Sequence, residues 1–152
     1  MGMQSVLKTI GVATATVAGT AIMLVAPASA APGTTSAPAS VSTFTPIGAA
    51  EAENCPVDRY GYRGWSPCGS RGIDVNWGNN RLETFVVGTN RQVYHAWPGS
   101  GGWKSMGGWA WHILDARKQG KARIVAHEGR DHTTWCHKDP GNGKWSGTYF
   151  CG

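Results

Sequence analysis

Between residues 77 and 103 the chain sets Trp77, Tyr94, Trp97 and Trp103 among Asn79, Arg81, Glu83, Asn90 and Gln92. Aromatic plates beside planar hydrogen-bonding side chains suit a sugar, which offers C–H faces and hydroxyls together. Trp97 or Trp103 would stack on the ring, and Arg81, Glu83 or Asn90 would meet the hydroxyls. Core packing competes for the same tryptophans. Strand alternation puts Leu82, Thr84 and Val86 on one face and Glu83, Phe85 and Val87 on the other.

Other chemistries find less support. No nucleophile elbow and no H-E-x-x-H is present. Ser100 and Ser146 stand in Gly-rich stretches without a marked base, so no enzyme is expected. His127, His132 and His137 recur at five-residue spacing, and a hairpin would let His127 approach His132. Solvated turn histidines account for this pattern, and neither a metal nor another cofactor is expected.

The elements that must position these residues can be outlined from composition. Of 152 residues, 22 are Gly and 8 are Trp, and 15% are charged, against about 25% in ordinary soluble domains. This is the profile of a turn-rich, aromatic-rich β domain. The length is too short for a barrel enzyme of roughly 250 residues.

Residues 1–30 read as a secretory signal peptide. Lys8 precedes an apolar stretch from Ile10 to Val25, and Ala26-Pro27-Ala28-Ser29-Ala30 supplies small residues for cleavage. The apolar run is interrupted and falls short of the roughly 20 residues of a spanning helix. The expectation is a secreted protein without a membrane attachment after cleavage. Removing Lys8 leaves a net charge of +5 − 1 = +4. The basic residues form no stripe, so nucleic acid is not an expected partner. The one cluster, Arg117, Lys118, Lys121 and Arg123, reads as a solvated loop.

Residues 31–54 read as a disordered linker, because Ala, Pro, Thr and Ser cannot bury enough apolar surface to offset chain entropy. Within it, residues 41–47 resemble a short docking strand. Val41, Thr43, Phe44 and Ile47 would add to the sheet edge or groove of a partner. All eight tryptophans follow, in a β domain over residues 55–152.

Cys55, Cys68, Cys136 and Cys151 form an even set, and secretion makes two disulfides the natural reading. Cys55–Cys68 with Cys136–Cys151 is favoured, since both close short loops. A Cys55–Cys151 tie is the rival. No C-x-x-C pair suggests zinc.

Two stretches repeat at an offset of 41. Gly88 falls on Gly129, Asn90 on Asp131 and Tyr94 on Trp135, and one further residue brings Trp103 onto Trp145. A third fragment, from Gly64 to Gly69, resembles Gly102 to Gly107. Each copy reads as strand, turn, strand, turn and a Trp that opens the next strand. Several short strands in about 40 residues is the spacing of propeller blades. The first copy runs from Trp77-Gly78-Asn79-Asn80-Arg81-Leu82-Glu83 through Gly88-Thr89-Asn90-Arg91 and Tyr94-His95-Ala96-Trp97 to Gly102-Trp103-Lys104-Ser105-Met106-Gly107-Gly108. It resembles the repeat of bacterial β-propeller lectins of the fucose-binding, tachylectin-like kind. Asn79-Asn80 and Asn90-Arg91 depart from that family's Gly-containing turns, and the second copy lacks counterparts of Phe85 and His95.

The resemblance implies an all-β fold with two blade-like, propeller-type antiparallel units, tied by disulfides and preceded by a disordered tail. Two units cannot close a ring, so their edges would be covered by other segments or by oligomer formation. Trp109–Ala116, outside the repeat, is a candidate covering strand. It further implies a non-catalytic, lectin-like module for cell-surface or cell-wall glycan, and the side-chain chemistry of the segment supplies the candidate ligand set Trp77, Asn79, Arg81, Glu83, Asn90, Tyr94, Trp97 and Trp103. The alternative is a small adaptor in a secreted toxin or lectin assembly, docking a co-secreted protein through the tail strand and the β domain. Size, tail and repeat make it similar to small adaptors of secreted toxin particles such as umbrella toxins, by analogy alone.

Overall fold

A computed structural model describes residues 39–48 and 53–152. The signal-peptide reading and most of the linker lie outside the described residues. Eleven strands are present: β1 Ser40–Phe44, β2 Asn54–Arg59, β3 Tyr62–Pro67, β4 Gly72–Asn76, β5 Leu82–Val87, β6 Val93–Ala96, β7 Lys104–Gly107, β8 Ile113–Gln119, β9 Ala122–Glu128, β10 Thr134–Asp139 and β11 Tyr149–Phe150. Among the described residues there is no helix, and none therefore that could cross a membrane.

Three antiparallel sheets result. One has the order β1-β4-β5-β6-β7, a second β11-β10-β9-β8, and the β2-β3 hairpin stands by itself. None closes on itself. Strands β4 to β7 and β8 to β11 each run as a four-stranded meander, so the two repeats occupy corresponding strands. Trp109–Ala116 leads into the outermost strand of the second sheet, which pairs with the otherwise open edge of β9. The second half of this segment enters β8, with Ile113 buried in the core.

Alternation explains the layering. Ile73, Val75, Phe85 and Val87 meet Ile113, Ala116 and Val125 in one apolar cluster between the two larger sheets. On the opposite face of the first sheet, Thr84 Oγ1 lies 3.0 Å from the Tyr60 hydroxyl, and Arg59 pairs with Asp74 at 2.9 Å. The β2-β3 hairpin is therefore fixed to the face that the second sheet does not cover.

The turns keep the repeat's geometry. The Gly88 N–H donates to Gln92 O, and the Gly129 N–H donates to Thr133 O, both at 2.8 Å. Arg91 and His132, again 41 apart, have φ of 65° and 60°. Asn79 and Asn80 also take positive φ, 54° and 56°. Asparagine tolerates this region better than most other side chains, so the turn forms without glycine at these two positions.

Disulfides join Cys55 to Cys68 and Cys136 to Cys151. The first staples the ends of the β2-β3 hairpin. The second holds the two-residue β11 on β10.

Two expectations are corrected. The segment read as linker and partner-docking strand is partly a strand of this molecule. Ser40–Phe44 pairs with β4 in continuous register, from Ser40 opposite Asn76 to Phe44 opposite Gly72. The Phe44 ring lies beneath the Arg59 guanidinium at 4.3 Å, while Val41 and Ile47 are exposed. Nor is the basic cluster a solvated loop. Arg117 and Lys118 lie in β8, and Arg123 in β9 turns its guanidinium between the sheets.

Candidate functional site

Glu83 is the centre of the largest polar constellation. Position 83 points to the inter-sheet face with Phe85 and Val87, and the carboxylate is buried there. A buried carboxylate is costly unless its lone pairs are filled. Oε2 accepts from Trp77 Nε1 at 2.7 Å and Arg123 Nη1 at 2.8 Å. Oε1 lies 2.6 Å from His95 Nδ1 and accepts from Trp145 Nε1 at 3.2 Å. Two strands of the first sheet, the β4-β5 turn, and β9 and the β10-β11 loop of the second sheet converge on one group.

Arg123 completes a bridge. Its Nε and Nη2 donate to Asp139 Oδ2, and Asp139 Oδ1 accepts the N–H groups of Gly141, Asn142 and Gly143. Burial pulls the Asp139 carboxyl upward. The Gly141 N–H, Arg123 and the Gly143 N–H outweigh that pull and hold it below the ordinary value. Asp139 thereby shapes the loop that delivers Trp145.

Above this floor lies a cavity of about 350 Å³. Trp97, Arg81 and Asn80 form an exposed rim, with Trp97 37% accessible beside His95 at 5.0 Å between ring centroids. Trp77 is 2% accessible and packs edge-on against Phe85.

The eight residues expected to bind one ligand are thus divided. Trp77, Arg81, Glu83 and Trp97 line the inter-sheet cavity. Within it Trp77 and Glu83 are floor rather than contact surface, because the Trp77 N–H and both Glu83 oxygens are already engaged. Asn90, Tyr94 and Trp103 line a second cleft with Trp65, on the face toward the β2-β3 hairpin. Asn79 lines neither cavity. Asn90 Nδ2 donates to the Tyr94 hydroxyl at 3.1 Å, and the Trp103 ring packs on Gly64.

The parity of the strands separates these groups. Glu83 and Tyr94 lie on opposite faces of the first sheet, since Thr84 pairs with Ala96 and Val86 with Tyr94. A third cleft repeats the second one, with Gly129, Asp131 and Trp135 in place of Gly88, Asn90 and Tyr94.

Sequence reasoning missed Arg123, Asp139, His95 and Trp145 as parts of one constellation. Alternation could have paired Arg123 with Val125 on the core face. Nothing local signals that Asp139 receives it.

The histidines also differ from expectation. His132 is exposed and pairs with Glu128, away from His127. His127 instead meets His137, their ring centroids 5.3 Å apart. Neither is a solvated turn residue. Burial, with His137 beside it, lowers His127 to about 4. Burial likewise lowers His137, against the opposing effect of the Ser146 carbonyl.

The chain matches no protein-family model, and no curated protein or solved structure is significantly similar to it.

Proposed function

We propose that this protein is a secreted, non-catalytic recognition module that binds glycan in the inter-sheet cavity. The observation that carries the reading is the exposed Trp97 ring beside Arg81 and Asn80, over a floor whose polar groups are already satisfied. A sugar would stack one C–H face on Trp97 and present hydroxyls to Arg81 and Asn80. Glu83 would act from below, by fixing Trp77, His95, Arg123 and Trp145. The two corresponding meanders and their equivalent turns support kinship with propeller-type lectin repeats.

The oxidised protein on a glycan array should bind a defined subset of cell-surface or cell-wall sugars, and Trp97→Ala should abolish that signal while the thermal unfolding midpoint stays nearly unchanged. An array on which the folded protein retains no sugar would refute the reading.

One observation favours a second role, as adaptor in a secreted multi-protein assembly. β1 is an edge strand, with one side paired to β4 and Val41 exposed. Its outer backbone groups could take a strand from a co-secreted protein. Partner retention that survives Trp97→Ala but is lost when residues 39–48 are deleted would identify the adaptor. The opposite pattern would identify the lectin.

A further inference from the structure

His127 and His137 extend from neighbouring strands onto one face. His127 stands opposite Trp135 and His137 opposite Val125, a diagonal placement that brings the rings together. They are 1% and 0% accessible. An enclosed imidazole normally finds a partner for each nitrogen. Here neither nitrogen of His127 nor Nε2 of His137 reaches a partner in good hydrogen-bond geometry, although the Glu128 and Trp109 backbones stand near the His127 ring. The fourth nitrogen, His137 Nδ1, lies 3.1 Å from the Ser146 carbonyl oxygen. A carbonyl can only accept, so Nδ1 carries the proton and Nε2 keeps a free lone pair. A carbonyl behind one ring nitrogen is the usual support of a metal-binding histidine.

The first repeat is built without either imidazole. Forty-one residues earlier, in the same register, the first repeat has Val86 opposite Tyr94 and Ala96 opposite Thr84. The second repeat places two nitrogen ligands where the first places two aliphatic groups.

We propose that His127 and His137 form a two-imidazole site for a divalent transition-metal ion of the zinc, nickel or copper class. Metal–nitrogen bonds of about 2.0–2.1 Å put an ion roughly 3.2 Å from each ring centre, and a tetrahedral angle then separates the centres by about 5.2 Å. The observed separation is 5.3 Å. Neutral imidazole is a borderline donor that suits these ions over calcium or magnesium. The ion would enter through the third cleft, about 470 Å³, which His127 lines with Trp109, Asp131 and Thr148. Among the described residues no third His, Cys, Asp or Glu side chain closes on the pair. Water would complete the shell, leaving positions open to exchange. His137 neighbours His95 and the Ser146 carbonyl beside Trp145, at the back of the sugar cavity, but the argument for the ion does not depend on the glycan reading.

The test is a calorimetric titration of the EDTA-stripped, disulfide-intact protein with zinc, nickel and copper chlorides. Electron paramagnetic resonance of the copper form serves as a second readout. One ion per chain should bind, with hyperfine coupling to two nitrogens. His127→Val and His137→Ala, which install the residues used by the first repeat, should each weaken binding roughly tenfold or more. The exposed control His132→Ala should leave it unchanged. Zinc-induced shifts of the His127 and His137 ring nitrogens in the unsubstituted protein give the same answer without relying on a variant's folding. No binding at millimolar metal, unshifted ring nitrogens, or affinity that survives both substitutions would overturn the proposal.

Discussion

Arg123 Nη1 in β9 lies 2.8 Å from Glu83 Oε2 in β5, joining the two larger sheets through a charge pair forty positions apart. The other side of the same guanidinium is held by Asp139. Removing the cation would leave two buried carboxylates without their counter-charge. Such a loss costs about 3–5 kcal/mol. Arg123→Met should therefore lower unfolding free energy by that amount in a urea titration. Arg123→Lys should recover only part, because a single ammonium cannot reproduce the fork that reaches both acids. A methionine variant as stable as the original would show that the pair does not hold the sheets together.

The eight tryptophans should separate into structural and binding classes. Trp77 is 2% accessible, donates to Glu83 and touches Phe85. Trp77→Ala opens a core cavity and should cost about 3–5 kcal/mol. Trp97, at 37% accessible, should cost less than about 1 kcal/mol on truncation. Thermal melts of the two variants, set beside sugar binding, check the division. Equal destabilisation would contradict it.

The legible and illegible parts of this fold follow from the range of the interactions. Leu82–Val87 reads as a strand because alternation is local, and the same parity correctly puts Glu83 with Phe85. The turns at Gly88 and Gly129 read as turns from their Gly and Asx residues, although the positive φ itself falls on Arg91 and His132. The short disulfide loops are legible for the same reason. Arg123 is different. In sequence it closes a basic cluster, and only the pairing of β9 with β10 brings Asp139 to it. Val41–Phe44 likewise looks free until β4 arrives beside it, because an edge strand with four exposed side chains carries little apolar signal. The single ligand set drawn from residues 77–103 fails on strand parity, which sends Glu83 and Tyr94 to opposite faces of one sheet.

Gly88 and Gly129 are required for space, and not for backbone freedom. A Cβ at Gly88 would stand 2.6 Å from the Tyr94 ring, and one at Gly129 would stand 2.7 Å from the Trp135 ring. Each aromatic lies across its glycine. Gly88→Ala and Gly129→Ala should each cost about 1–3 kcal/mol by overpacking. The penalty should largely vanish when the opposing ring is also removed, as in Gly88→Ala with Tyr94→Ala, giving a non-additive cycle. Additive costs measured by chemical denaturation would mean that the close approach is not the cause.

The disulfides should contribute unequally to local order though similarly to global stability. They span sequence separations of 13 and 15 residues, and loops of that size contribute on the order of 3 kcal/mol each by chain entropy. Cys136–Cys151 is also the covalent hold on β11, a strand with two register pairs. Replacing Cys136 and Cys151 by Ala should raise hydrogen exchange at Tyr149 and Phe150 far more than at β9. Replacing Cys55 and Cys68 should instead loosen the β2-β3 hairpin. Uniform exchange increases in both variants would show that each bond acts only through the unfolded chain.

Phe44 is the side chain that holds β1 in place, and its removal should release that strand selectively. The other side chains of β1 are exposed, so the strand depends on its ladder to β4 and on one aromatic ring. That ring fills the space above Gly72, where an added Cβ would stand 2.5 Å from it, and it receives the Arg59 guanidinium at 4.3 Å. Arg59 is fixed from below by Asp74, so its position survives loss of the ring. Phe44→Ala should therefore cost only about 1–2 kcal/mol globally, yet bring the amides that β4 shares with β1 close to free exchange. The β4-β5 ladder, with Ile73 and Phe85 facing the core, should stay protected. Protection lost equally from both edges of β4 would mean that β1 belongs to the cooperative core, and would remove the detachable edge on which an adaptor role depends.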